Sequence, residues 1–372
     1  MANSNRIEVP SDDLIMRFRD KVNQLSFVFF KYGNVDGQNL WSPICSCMDW
    51  ISVAIRSLQN PEELSCNIDI RVMQIYSLIS QIDIVQEAVV TLYSVFILPK
   101  GRKSPFKGCS KVFKDTEGRD DDTYFKELRA QFGAHPVNLK GGSERLYASW
   151  PYESLHGNCD LEVRLYSNLV DKKDRVIKLK VSELIAYLVY RYDYLNVLIE
   201  EIDQQYERFK IWCKETPIEK SNDTVEQLDI LVQESKKRLN LDFIEGELNT
   251  LRMLFSVTCS EHEISEKEKV FKLELKELVA ELHSILQFGD FNQEFDCGRI
   301  LETGTLHSEL SYELPKLYSW IYSNANDPLI SYYFERLASI DNFGYCFSES
   351  DSRSQTLLKL YLFDRDLQNK AL

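Results

Sequence analysis

The sequence predicts a mainly α-helical protein: a helical bundle with a small inserted antiparallel β-ribbon, followed by a second helical section. Three observations lead there. Apolar residues recur at helical spacing over most of the 372 residues. Glycine (14) and proline (10) are scarce, which disfavours a turn-rich sandwich or barrel. Only between 146 and 181 does the period change to alternation of apolar and polar residues. The chain therefore divides into 1–145, a bundle, 146–181, a ribbon, and 182–372, a C-terminal helical section.

Residues 12–32 open on Asp12 and Asp13, suited to a helix N-terminus. Leu14, Phe18, Val22, Leu25 and Phe29 follow at helical spacing on one expected face. Ser42-Pro43 begins a second helix, with proline in the first turn, and Asn60-Pro61 ends it. Residues 69–98 are apolar on more than one face, as a central helix covered from several sides must be.

The most apolar run, 89–98, is about half the ~20 residues that a membrane span needs. The N-terminus, MANSNRIEVPSDD, lacks the basic-then-apolar pattern of a secretion signal. Nine cysteines are scattered, with no Cys-x-x-Cys pair and no zinc spacing, and an odd count reads as reduced thiols. These features point to a cytoplasmic protein with no membrane partner and no bound metal or cofactor.

Hydrophobic content of 44% with 27% charged residues is that of an ordinary folded chain. The net charge of −14 argues against non-specific nucleic-acid binding by the molecule as a whole. One segment departs from that balance. Lys100, Arg102, Lys103, Lys107, Lys111 and Lys114 fall in fifteen residues without an acidic one. The run reads either as a solvated loop or as a phosphate-binding flank, because local charge counts within a Debye length.

Next comes an expected helix from Asp120 to His135. Asp120, Asp121, Asp122 and Thr123 supply caps and negative charge at its start. Phe125, Leu128 and Phe132 define a buried face, and Arg129 lies at its edge. His135 precedes Pro136, so it is pushed out of the α region at the helix C-terminus, where carbonyl dipoles favour a protonated imidazole.

In the ribbon, Leu161, Val163 and Leu165 share one face, matched by Ile177, Leu179 and Val181, and residues 170–174 form the turn. Arg164, Lys178 and Lys180 point to the other side. Ser182 is the expected N-cap of one long helix ending at Thr216-Pro217, with Tyr187, Tyr190 and Tyr194 on a stripe that reads as core or interface, or as a base-stacking platform. Phe271, Leu275, Leu278, Leu282 and Ile285 form a seam for another helix, within the chain or in a second copy. Shorter helices are expected around 312–322 and 329–338.

Phosphate-binding loops, dinucleotide fingerprints, zinc-protease and serine-hydrolase motifs are all missing. The four histidines besides His135 have no obvious partner and read as surface or structural residues. One constellation remains, Arg129-Ala-Gln-Phe-Gly-Ala-His135, an Arg-x5-His string at a helix end. It resembles the Arg-x4–6-His motif of the HEPN superfamily of metal-independent ribonucleases, which includes toxins and effectors of bacterial defence. The residue after the arginine, often Asn, Asp or His in that family, is Ala130. Val137 stands where one toxin branch has tyrosine. The wider string YFKELRAQFGAHPVNL also resembles uncharacterised bacterial proteins.

The resemblance implies an up-down helical bundle that dimerises so that two motifs face each other. It implies RNA as substrate, cleaved through its own 2′-OH, with His135 as general base or acid and Arg129 on the scissile phosphate. Residues six apart on a helix are separated by roughly 240° about the axis, so a facing second copy eases their convergence. The competing expectation is a non-catalytic helical scaffold, binding RNA or using its C-terminal helices to hold a protein partner.

Overall fold

The computed structural model describes residues 9–24, 26–59, 63–97, 104–114, 116–131, 139–141, 144–149, 151–152, 159–239, 245–258, 262–290, 301, 303–323 and 327–371. It is mainly α-helical with one small antiparallel sheet, as the sequence predicts. Two compact units, Met1–Gln205 and Tyr206–Leu372, make up the chain. The boundary expected at 182 lies instead inside a later helix, because residues 181–192 pack on the central helix of the first unit.

In the first unit, α1 (Asp13–Gln24) and α2 (Ser26–Tyr32) fall within the helix expected over 12–32, on either side of residue 25, which is not described. The buried residues are Ile15, Phe18 and Val22, then Phe27, Val28 and Phe30. Leu14 is only half-buried and Phe29 is exposed; Leu25 lies outside the described residues. α3 (Trp41–Ser57) begins as expected, with Pro43 in its first turn and the Asn39 side chain accepting the Ser42 N–H at 3.1 Å.

α4 (Ile68–Phe96) is capped by Asn67, whose side chain accepts the Asp69 and Ile70 N–H groups. It is long and apolar enough to cross a membrane, more so than the 89–98 run suggests, and 44% of its most apolar window is buried. Ile75, Ile79, Ile82, Val85, Val89 and Leu92 are buried, and α3 packs along it. α5 (Asp121–Arg129) packs on it too, with Asp120 accepting the Thr123 N–H at 2.7 Å. Residues 130 and 131 follow with a π-type hydrogen-bond pattern, and the remainder of the helix expected to 135 lies outside the described residues. Phe132 and His135 lie outside the described residues.

The sheet starts earlier than 146 and runs β1 (Leu139–Gly141), β2 (Glu144–Ala148), β3 (Leu161–Ser167) and β4 (Arg175–Leu179), each antiparallel to the next. Leu161 pairs with Leu179 and Val163 with Ile177. That register buries Leu161, Val163, Leu165 and Leu179 and exposes Arg164 and Lys178, as alternation requires. α6 (Val181–Tyr192) and α7 (Tyr194–Glu215) meet at Asp193, in place of the one long helix that the sequence predicts. Ser182 does not cap α6. The Asp160 side chain, from just before β3, accepts the Val181 N–H at 2.7 Å.

A buried polar knot ties α4, α5 and α6 together. Arg191 is fully buried and pairs with Asp122 at 2.6 Å. Its guanidinium carbon lies 3.6 Å from the Tyr187 ring centroid and 4.7 Å from that of Phe106. The Tyr187 hydroxyl meets Asp122 at 3.0 Å and also reaches Gln86, and its ring stacks on Phe125 at 4.5 Å. Tyr187 on the expected stripe is therefore core.

The second unit holds the rest of α7, α8 (Thr224–Leu239), α9 (Glu245–Phe255), α10 (His262–Phe288), α11 (Gly304–Glu309), α12 (Glu313–Ser323), α13 (Ile330–Ile340) and α14 (Arg353–Ala371). The predicted seam is buried throughout, and α10 packs on α8 and α14 within the chain. Arg238 closes one end of this unit, donating to the carbonyls of Cys213, Thr216 and Leu286 and to Glu234.

Removing Asp122 strands the Arg191 charge in the core. Asp122→Ala is expected to lower the unfolding free energy by about 3–5 kcal/mol in urea titrations. Adding Arg191→Met should recover part of the loss. A change below about 1 kcal/mol would mean that Arg191 is hydrated in solution.

Candidate active site

The predicted site residues fall on two stretches joined by α5. The first is the loop that precedes it. Three successive backbone N–H groups, of Lys111, Val112 and Phe113, point at the buried Asp121 carboxylate, at 2.8, 3.1 and 3.2 Å. Asp120 accepts the Gly108 N–H at 3.3 Å, and Ser104 donates to Asp122 at 2.8 Å. Phe106 and Phe113 are buried, the first against Tyr190 and Tyr194, the second against Tyr124 and Tyr187. At Gly108 the backbone turns through φ 76°, which glycine adopts without strain.

The sequence predicts that the acidic triplet acts on the helix dipole. Asp120 does cap the helix, but Asp121 acts on the loop and Asp122 mainly on Arg191 and Tyr187. Carboxylates bind the loop through its backbone, so the lysine side chains are left out of the anchoring. Lys107, Lys111 and Lys114 are all exposed. Lys111 rests over the Tyr190 ring at 5.0 Å and meets its hydroxyl at 3.2 Å, which raises the lysine's pKa. Lys100, Arg102 and Lys103 lie outside the described residues.

The second stretch is the C-terminal end of α5. Arg129 emerges at the edge of the buried face, with its side chain 51% exposed. Its Nε forms an ion pair with Asp83 of α4 at 2.8 Å. Its terminal amino groups make no hydrogen bond among the described residues. His135, the other predicted catalytic residue, is outside those residues. Burial pushes the Asp83 carboxyl above the usual aspartate range, Arg129 opposes that, Glu87 adds to it and Lys126 opposes it.

Arg129 and the loop lysines are not brought into contact. They sit at opposite ends of α5, whose nine residues span about 12–14 Å. That is more than the ~8 Å Debye length at physiological ionic strength, so the two positive regions act separately on small ions. A polynucleotide strand, with a charge every 3.4 Å or so in a duplex, is long enough to meet both.

Asp83 is a residue that the sequence reading missed. The signal was one of the two carboxylates inside SQIDIVQEAVV, a largely apolar stretch in which a charge turned inward needs a partner. Of the remaining histidines, His156 and the side chains of His262 and His307 fall outside the described residues. His283 is held below the usual range, first by burial and then by Lys220, and its Nε2 has no hydrogen-bond partner among the described residues. That suits a neutral structural residue. Among the described residues no group of three His, Cys, Asp or Glu is placed to hold a metal ion.

No family model, no curated protein and no solved structure matches this chain.

The raised Asp83 pKa predicts a pH effect. A native pKa above the unfolded value makes the folded state take up its proton first as pH falls. This group's contribution therefore rises as pH drops through the native pKa towards about 3.9, and levels off below it. The melting temperature of the wild type should gain on that of Asp83→Asn over this window. A constant difference from about pH 7 to about pH 4 would rule the shift out.

Proposed function

We propose that the first unit is a metal-independent endoribonuclease of the HEPN type, a cytoplasmic toxin or defence effector that works as a homodimer. The observation that carries the reading is Arg129. Its guanidinium is half-exposed at a helix end and oriented through Nε by Asp83, which leaves both terminal amino groups to form a fork on a phosphate.

In this reading the RNA 2′-OH attacks the adjacent phosphorus and His135 takes its proton. Arg129 stabilises the charge that develops on the phosphoryl oxygens, and the 5′-oxygen leaves with a proton, giving a 2′,3′-cyclic phosphate. The facing motif of a second copy supplies the acid. Asp83 is a positioning residue: it holds the guanidinium and touches no reacting atom.

Arg129→Ala and His135→Ala are each expected to slow RNA cleavage in EDTA by on the order of 10²–10⁴, with melting temperatures close to the wild type. All-deoxy substrates should resist, and light scattering should report a dimer. Wild type that cleaves no RNA, or variants that cleave as fast as it does, would overturn the nuclease reading.

A second reading, a non-catalytic RNA-binding scaffold, is favoured by the anchored loop, which displays Lys107, Lys111 and Lys114 from a fixed backbone. Replacing Lys103, Lys107 and Lys111 with Glu should weaken RNA binding and flatten its salt slope by about 0.7–0.9 for each phosphate no longer neutralised. Salt-dependent binding without cleavage selects this scaffold. Unchanged affinity and slope would make the run an ordinary solvated loop.

A further inference from the structure

The second unit contains a cavity of about 900 Å³ that neither functional reading uses. One wall is a face of α9: Glu247, Asn249, Thr250, Met253 and their neighbours. Ile321 and Tyr322 of α12, Tyr361 of α14 and Leu301 complete it. The volume is within the range of small-molecule sites, and such sites are mostly apolar with a few convergent polar groups.

The polar groups of this wall fall into two kinds. Most are already satisfied. Thr250 and Tyr322 share a hydrogen bond at 2.9 Å, Tyr361 donates to the Leu301 carbonyl at 3.1 Å, and Arg252 pairs with Asp229 at 3.0 Å. Glu247 differs. Its Oε2 is buried and has no hydrogen-bond partner among the described residues. A buried carboxylate oxygen without a donor is costly, and Glu247 lines the cavity, so a turn of its side chain would bring that oxygen to a cation or a strong N–H group there. Arg252 does not supply that charge, because Asp229 engages it.

The same cavity is also lined by a tyrosine face and a thioether, those of Tyr322 and Met253. Tyr322 is 47% exposed and is fixed by stacking on Tyr318 and by its bond to Thr250. Carboxylate, aromatic face and methionine together favour a positively charged nitrogen carrying an apolar body. They disfavour an anion, which would meet Glu247 unpaired.

We propose that the cavity between α9, α12 and α14 binds a small organic cation, an ammonium or guanidinium compound, with its charged nitrogen on Glu247 and its body against Met253, Ile321 and Tyr322. The site lies wholly in the second unit and shares no residue with Arg129 or the lysine loop. It stands whether or not the first unit cleaves RNA.

The test uses the full chain and calorimetric titration with four probes: 2-phenylethylamine, agmatine, the neutral 2-phenylethanol and the anionic 3-phenylpropionate. At least one of the two cations should bind saturably and raise the melting temperature, while the neutral and anionic probes bind at least about tenfold more weakly. Glu247→Gln should weaken the cation by about tenfold or more without lowering the melting temperature of the free protein. Met253→Trp, which fills the cavity, should block binding and covers the case in which Glu247→Gln fails to fold. Failure of both cations to bind, equal binding of 2-phenylethanol, or affinity unchanged in Glu247→Gln and Met253→Trp would each overturn the proposal.

Discussion

The first unit depends on a single buried ion pair. Arg191 is fully buried, and a guanidinium removed from water must be met by a fixed negative charge. Asp122 meets it from the start of α5, and once there it recruits other groups to its remaining acceptor sites: Tyr187 from α6 and Ser104 from the loop. Tyr187 brings Gln86 of α4 into the same cluster. Four stretches of chain far apart in sequence are thereby set in one arrangement. Two of the arginine's nitrogens, Nε and one terminal amino group, have no hydrogen bond among the described residues, and the Tyr187 and Phe106 rings face the guanidinium instead. Aromatic faces substitute in part for missing acceptors, since their quadrupole attracts the cation.

The neighbouring residue, Asp121, extends the same logic to a loop. A carboxylate that accepts three consecutive backbone N–H groups does what a turn of helix does in reverse: it gathers donors around a negative centre. The consequence for chemistry is a division of labour. Backbone groups and the buried Phe106 and Phe113 rings hold the loop in place, while Lys107 and Lys114 stay exposed and Lys111 rests on Tyr190. A basic segment held by side-chain salt bridges would have used up its own charges. The acidic triplet thus reconciles a protein of net charge −14 with a locally positive surface.

Arg129 and Asp83 show a related compromise. Pairing through Nε aims the guanidinium, yet the carboxylate also cancels part of the charge on offer to a phosphate. Asp83 softens that cancellation because its own burial disfavours ionisation. Lys126 adds positive charge on the same side of α5, close enough to act on Asp83. The outcome is a well-oriented arginine in a mixed field, suited to a ligand that brings its own dense negative charge.

The sequence by itself determined the fold class, most helix positions and the inward face of β3, because these follow from periodicity. Phe271 to Ile285 at steps of 4 and 3 can bury one stripe only as a helix, and Leu161, Val163 and Leu165 can share a face only as a strand. The same pattern could not register the break at Asp193, since both sides of it remain helical. It also misplaced the cap of α6, whose acceptor, Asp160, is 21 residues away from Val181. For the site, Arg129 at the edge of a buried face was legible from its neighbours Phe125 and Leu128. Its partner was not. Asp83, Asp122 with Arg191, and the unpaired oxygen of Glu247 are facts about which charges are shut away from water together. Only the tertiary structure decides that, because desolvation depends on every surrounding chain segment and no local pattern encodes it.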